Sequence, residues 1–252
     1  MPRLPGHEIA WPKKVATLAE AGKFIDAAGF CVLFPLKNVA LPSLYFAASR
    51  KRNADWDAYA IKIWNWKDEL GGRRRAFYGK YFRGRGSFIS LGMLPRLIAL
   101  EKTAVAAGDH ENFYRLGRIS ENARLIWESL ERRGPLATLE LRHECKMTTV
   151  AGNKRFKRAM TELGRLLIVV HFGTEKETAA WSSGKFELVC RAFPREMVAA
   201  RKITENAARA AVARKYLENH AHANAAQIAR LFGWSISDAE GAMAIAPGKR
   251  RR

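Results

Sequence analysis

Between Ser120 and Arg191 the sequence spells three short helices, then two strands with a loop between them, and few folds accept that order. Ser120 is a good N-cap for a helix through Arg133, because its hydroxyl can accept a first-turn N–H. Ile119, Ala123, Ile126, Trp127 and Leu130 give that helix one apolar stripe. Gly134-Pro135 breaks it. Thr138 is placed to cap a second helix over 139–146, with Leu141 and Cys145 on one face. A loop with Gly152 leads to a third helix over 153–165 that turns Phe156, Met160 and Leu163 inward. A strand over 166–172, a loop over 173–184 and a strand over 185–191 follow. In the last strand Phe186, Leu188 and Cys190 alternate with Lys185, Glu187, Val189 and Arg191.

Helix, helix, helix, strand, loop, strand is the order of a winged helix. The flanking regions read as helical too. Before it, helices are expected over 15–28, 42–49, 55–70 and 90–107, with a short buried strand over 30–36. Trp56, Ala60, Ile63, Trp64 and the stem of Lys67 make the apolar stripe of the helix over 55–70, and Gly71-Gly72 is expected to end it. After it, a long Ala-rich helix covers 204–220. Asn224 and Gln227 form a capping box for a helix over 225–232, and Ser237 with Glu240 repeats the device for 238–244. That is a second helix-turn-helix pattern, without a wing, followed by the basic tail Lys249, Arg250, Arg251 and Arg252. The fold expected is mainly α with small β wings, built of tandem winged-helix and helix-turn-helix modules. Three domains are expected: 1–117, 118–194 and 195–252.

Charge narrows the function. The chain carries 44 Lys and Arg against 24 Asp and Glu, a formal +20 over 252 residues, and so strong a surplus attracts a polyanion. Nucleic acid and an anionic membrane are the two candidates. No apolar run is long enough for a helix that spans a bilayer, so nucleic acid is the expected partner. The N-terminus lacks the apolar core of a signal peptide. Cys31, Cys145 and Cys190 are widely separated and form no CxxC pair, so neither a zinc site nor a disulfide framework is indicated. A cytoplasmic location is the expectation, with no metal and no cofactor.

Two constellations could grip nucleic acid. Lys154, Lys157, Arg158, Thr161 and Arg165 share one face of the third helix, opposite its apolar residues, as a helix entering a major groove requires. The loop after it, with Lys176 and Trp181, could touch a backbone. From Gly71 to Phe88, cations and aromatics interleave among glycines: Arg73, Arg74, Arg75, Tyr78, Lys80, Arg83 and Arg85. Such cations neutralise phosphates and such rings stack on bases. The plainer readings are a solvated basic face and a turn-rich linker whose rings plug a core. Catalytic signals are weak. No histidine sits in a HExxH pattern. Asp68 and Glu69, at the end of the Trp-rich helix, are the candidate catalytic carboxylates, and a solvated helix edge is the simpler reading of both.

As a set, several motifs resemble winged-helix DNA-binding proteins related to the bacterial DNA glycosylases that unhook interstrand cross-links. They are Trp64-Asn-Trp-Lys-Asp-Glu-Leu70, Tyr78-Gly-Lys80, Ser87-Phe-Ile-Ser-Leu91 with Leu94-Pro95, Ala28-Gly-Phe-Cys-Val-Leu-Phe-Pro35, the Gly-Pro break between helices at 133–141, and Phe232-Gly-Trp234. The resemblance implies tandem winged helices around a DNA channel, and DNA repair as the context. It also implies a Gln-x-Asp or Gln-x-Gln motif that positions a water at the glycosidic carbon. This chain departs there: its only glutamine is Gln227, in a capping box. The expectation is therefore a protein that binds double-stranded DNA without the family's excision chemistry. A divergent glycosylase is the alternative, and RNA stays open as a partner because charge alone does not choose DNA.

Overall fold

The computed structural model describes residues 11, 13–37, 39–104, 108–176 and 182–245. Capping side chains set where the helices begin. Thr17 and Glu20 form a capping box ahead of α1 (Leu18–Ala28). After β1 (Phe30–Val32), Ser43 caps α2 (Leu44–Ser49). The Asp57 carboxylate accepts from Tyr59 and Ala60 N–H, each at 3.0 Å, and starts α3 (Ala58–Gly72). Next come β2 (Phe77–Gly79), one 3₁₀ turn (Phe82–Gly84), β3 (Ser87–Ile89) and α4 (Leu94–Glu101). The first three strands make an antiparallel sheet in the order β1-β3-β2, with Phe88 opposite both Cys31 and Tyr78.

The middle of the chain holds α5 (Asp109–Arg115), α6 (Glu121–Arg133), β4 (Leu136–Ala137), α7 (Thr138–Glu144), α8 (Val150–Arg165), β5 (Val169–Lys176) and β6 (Ser182–Leu188). Its sheet is antiparallel in the order β4-β6-β5. The chain continues as α9 (Val189–Ala192), α10 (Pro194–Ala200), α11 (Glu205–Asn219), α12 (Ala225–Phe232) and α13 (Ile236–Ile245). Helices hold 58% of the described residues and strands 11%, so the chain is mainly α with small antiparallel sheets, as the sequence leads one to expect.

Several local expectations need correction. The strand over 30–36 stops at Val32, because the chain turns at Leu33 toward Pro35, which has no N–H to donate. Of the helix expected over 90–107, the described residues form Leu94–Glu101, closed by Lys102 in the left-handed region, and 105–107 lie outside the described residues. The cap at Asp57 leaves Trp56 outside α3 and 63% exposed, and Trp64 is 42% exposed. The buried stripe is instead Ala60, Ile63, Trp66, Lys67 and Leu70. Gly71 and Gly72 lie inside the last turn of α3 rather than beyond its end. Gly71 lets the backbone of β5 lie against that helix: a Cβ there would come within 3.1–3.2 Å of His171, whereas one on Gly72 would meet Gly173 at an ordinary 3.4 Å. Thr138 is the first residue of α7 and not its cap. Its hydroxyl donates to Gly184 O at 2.9 Å, while the Glu140 carboxylate accepts from Ala137 N–H. Val189 leaves the strand for α9, so the alternation expected through Arg191 ends at Leu188, and Glu187 is buried. Ser235, not Ser237, caps α13 by accepting from Asp238 N–H at 3.0 Å.

Three apolar cores form among the described residues. One joins the first sheet to α11, α12 and α13 through Phe30, Phe82, Val212, Tyr216 and Ile228. A second lies among α1, α2 and α3, around Phe24, Tyr45, Ile63 and Phe88. The third sits inside the middle segment, around Ile126, Trp127, Leu130, Phe156 and Leu163. Each such side chain contributes roughly 1.5–3 kcal/mol by leaving water.

Candidate nucleic-acid interface

Thr149 caps α8, and Gly152 lets its first turn pass close to the preceding loop: a Cβ there would lie 2.8–2.9 Å from the Met147 backbone. Phe156, Ala159, Met160, Leu163 and Gly164 are buried. Lys154, Lys157, Arg158 and Arg165 are exposed on the other side, with Thr161 half-buried. The C-terminal half of this face does not stand alone in solvent. It forms one wall of a groove of about 850 Å³, whose other walls carry Arg83, Arg118 and Arg230. Tyr81 and Phe82 also line it, as does the end of α12.

Two carboxylates share this groove, and both have partners. Glu162 accepts from Ser120 N–H at 2.6 Å and from its hydroxyl at 2.7 Å, tying α8 to α6. Glu101 accepts from the Tyr81 hydroxyl at 2.7 Å. Burial pushes the Glu101 carboxyl above its ordinary range, against the opposing pull of Tyr81, Arg118 and Arg165. Arg118 lays its guanidinium 4.0 Å from the centre of the Phe113 ring and donates to Glu101 O at 2.7 Å. The described surface of the groove is therefore strongly cationic.

The residues between 73 and 85 divide into two groups. Arg73 pairs with Glu69 at 3.1 Å, Arg75 grips Asp26, and Arg74 adopts φ 51° with its guanidinium 5.4 Å from the Phe172 ring centre. None of the three lines either of the two larger cavities. Arg83 faces the groove beside α8, whereas Tyr78, Lys80 and Arg85 line a second cavity of about 760 Å³. Tyr78 packs on Phe88 and meets the His171 ring edge-on, and burial pushes its phenol up. A smaller cavity of about 200 Å³ lies between the two, with Lys80 and Lys157 in its wall. Burial of its stem, with Lys157 nearby, holds the Lys80 ammonium below its ordinary value.

The two candidate carboxylates differ sharply. Glu69 is exposed and paired with Arg73. Asp68 is no solvated helix edge: its Oδ1 lies 2.5 Å from Lys67 Nζ and 2.9 Å from His171 Nε2. Burial pushes its carboxyl up, but His171 and Lys67 outweigh it and hold the group below the usual carboxylate value. Asp68 is not in the wall of either larger cavity. Among the described residues no cluster of His, Cys, Asp and Glu could hold a metal ion, and no helix is long and apolar enough to cross a membrane. Trp181, the Lys176 side chain and the basic tail over 249–252 lie outside the described residues.

Sequence reasoning missed Arg118, Arg230, Lys67 and His171 as contributors. Nothing local marks them, because they meet the α8 face or the second cavity only through tertiary packing.

A mainly helical chain with cationic grooves between its parts is the class that the geometry defines. The chain belongs to the AlkZ-related family, whose model matches residues 15–233; AlkZ is a DNA cross-link repair glycosylase. Comparison with curated proteins and with solved structures gives no match.

Proposed function

We propose that the chain binds double-stranded DNA in the service of DNA repair, that residues 118–194 act as a winged helix, and that α8 is its principal DNA-contacting helix. The observation that carries this reading is the groove beside α8. Arg83, Arg118, Lys157, Arg158, Arg165 and Arg230 converge on it, and its two carboxylates are already hydrogen-bonded to Tyr81 and Ser120. Cations drawn from four separate stretches of chain onto one concave surface match a phosphate backbone better than a random solvated face does. The element order and the strand order β4-β6-β5 support the winged-helix reading, and the family's link to repair supports DNA as the polyanion. With Gln227 the only glutamine and placed in the cap of α12, the glutamine motif by which the related glycosylases position a water at the glycosidic carbon is missing, which favours binding over excision.

The test is a gel shift with the triple variant Lys154→Ala, Lys157→Ala, Arg158→Ala. These side chains are exposed, so the fold should survive, as far-ultraviolet circular dichroism will verify. Duplex affinity should fall about tenfold or more at low salt, uniformly across sequences, and the salt slope should become shallower by about 2, the share of the groove cations Lys157 and Arg158. Unchanged affinity in a folded variant would remove α8 from the interface.

A further inference from the structure

Glu101 sits against the character of the groove beside α8. Cations converge there, and this half-buried carboxylate is set in the wall they share. Its companion Glu162 has a structural task, since two donors from Ser120 hold it and join α8 to α6. Glu101 is held more lightly. It accepts from the Tyr81 hydroxyl at 2.7 Å, while the hydrogen bond from Arg118 goes to its backbone O. It is also the last residue of α4, at the negative end of that helix, where a further negative charge is unfavourable.

Three groups from separate stretches of chain act on the carboxylate: Tyr81 ahead of the 3₁₀ turn, Arg118 ahead of α6, and Arg165 at the end of α8. Charges on α4 itself and on the helices packed against it have other partners. Arg96 of α4 donates to Gly92 O. Glu205 of α11 pairs with Lys102 and Arg209, and Arg201, which follows α10, donates to Ala104 O. Burial already outweighs Tyr81, Arg118 and Arg165 and holds the carboxyl above its ordinary 4.5. A phosphate brought into the groove draws Arg118 and Arg165 to itself and sets a like charge beside the carboxylate. Both effects favour the protonated form further.

We infer that Glu101 is a proton-binding site coupled to DNA: entry of a duplex backbone into the groove drives Glu101 to take up one proton, which removes a negative charge from the wall and gives the carboxyl an O–H to donate to a phosphate oxygen. The inference rests on the DNA-binding reading above. Its sign follows from linkage. At low pH Glu101 is neutral with and without DNA, and affinity does not depend on it. Once the free protein has lost this proton, the complex must bind it back from solution. Affinity then falls as pH rises, by about tenfold per pH unit at most, until the group ionises in the complex as well.

The experiment titrates a labelled duplex with the full chain and with Glu101→Gln at one low salt concentration, from about pH 5 to about pH 8.5, a range that spans a raised carboxyl. The amide keeps an acceptor for the Tyr81 hydroxyl and cannot titrate. The histidines are common to both proteins, so the ratio of the two affinities isolates Glu101. The variant should bind about as the wild type does at the acid end, and on the order of tenfold more tightly at the alkaline end. Tyr81→Phe removes a hydrogen bond that favours the ionised carboxylate, so the pH at which affinity falls should move upward. A role confined to packing would leave that profile in place. Should Glu101→Gln unfold, as circular dichroism will reveal, the Tyr81→Phe profile alone decides. A ratio constant across the pH range in a folded Glu101→Gln, or a Tyr81→Phe profile that coincides with that of the wild type, overturns the proton site and leaves the DNA reading standing. No duplex bound at any pH overturns both.

Discussion

Individual side chains in this protein are held by specific partners, and Asp57 is the clearest case. It caps α3, accepts from the Tyr45 hydroxyl at 3.0 Å and pairs with Lys51 at 2.7 Å. The Lys51 ammonium and the α3 N–H groups together hold its carboxyl at about 2, below the ordinary 3.8. Because the folded value is depressed, the stabilisation is complete above the unfolded value and is lost as pH falls from about 4 toward 2. Asp57→Asn keeps a good capping residue but removes this titration. Unfolding measured between pH 5 and pH 2 should therefore show a shallower acid limb in the variant. An acid limb as steep as that of the wild type would mean that Asp57 is not so held.

At the scale of elements, glycines decide how closely α8 and α3 approach their neighbours. Gly152 lies within 3 Å of backbone if given a Cβ, and the backbone of Met147 cannot rotate away as a side chain could. Gly152→Ala should therefore lower stability by about 1–3 kcal/mol, read as a drop in urea midpoint. Gly72→Ala, where the nearest atom would be 3.4 Å away, should cost little. Equal losses in the two variants would contradict this account of how α8 packs.

The same elements show what a sequence can disclose. The caps at Ser120 and Asn224, the buried stripe of α6 and the inward residues of α8 are legible, because caps and periodicity are local. Strand β4 is not, since two residues carry no pattern and exist as a strand only through pairing with Phe186 and Lys185. Gly71-Gly72 reads as a stop signal in isolation, yet Gly71 serves the approach of β5, nearly a hundred positions away in sequence. For the candidate site, the charged face of α8 is visible in the sequence. The groove that gathers Arg118 and Arg230 beside it, and the Lys67–Asp68–His171 chain, are not, because those partners are distant in sequence and near only in the fold.

At the scale of the molecule, packing and charge act together. The first sheet shares a core with α11, α12 and α13, and this brings Arg230 on α12 to the same groove as Arg83 and α8. A formal charge of +20 resists compaction through self-repulsion, and a bound polyanion would relieve that repulsion where the cations are densest. The central claim is that this groove holds a DNA backbone, and the most direct test is the salt dependence of duplex binding. A labelled duplex is titrated with the wild-type chain from 50 to 200 mM monovalent salt. If the six cations of the groove each neutralise a phosphate, the plot of log affinity against log salt should be linear with slope about −5. Affinity should then fall on the order of a thousandfold across that range. A slope near zero, or no duplex bound at 50 mM salt, would contradict the account.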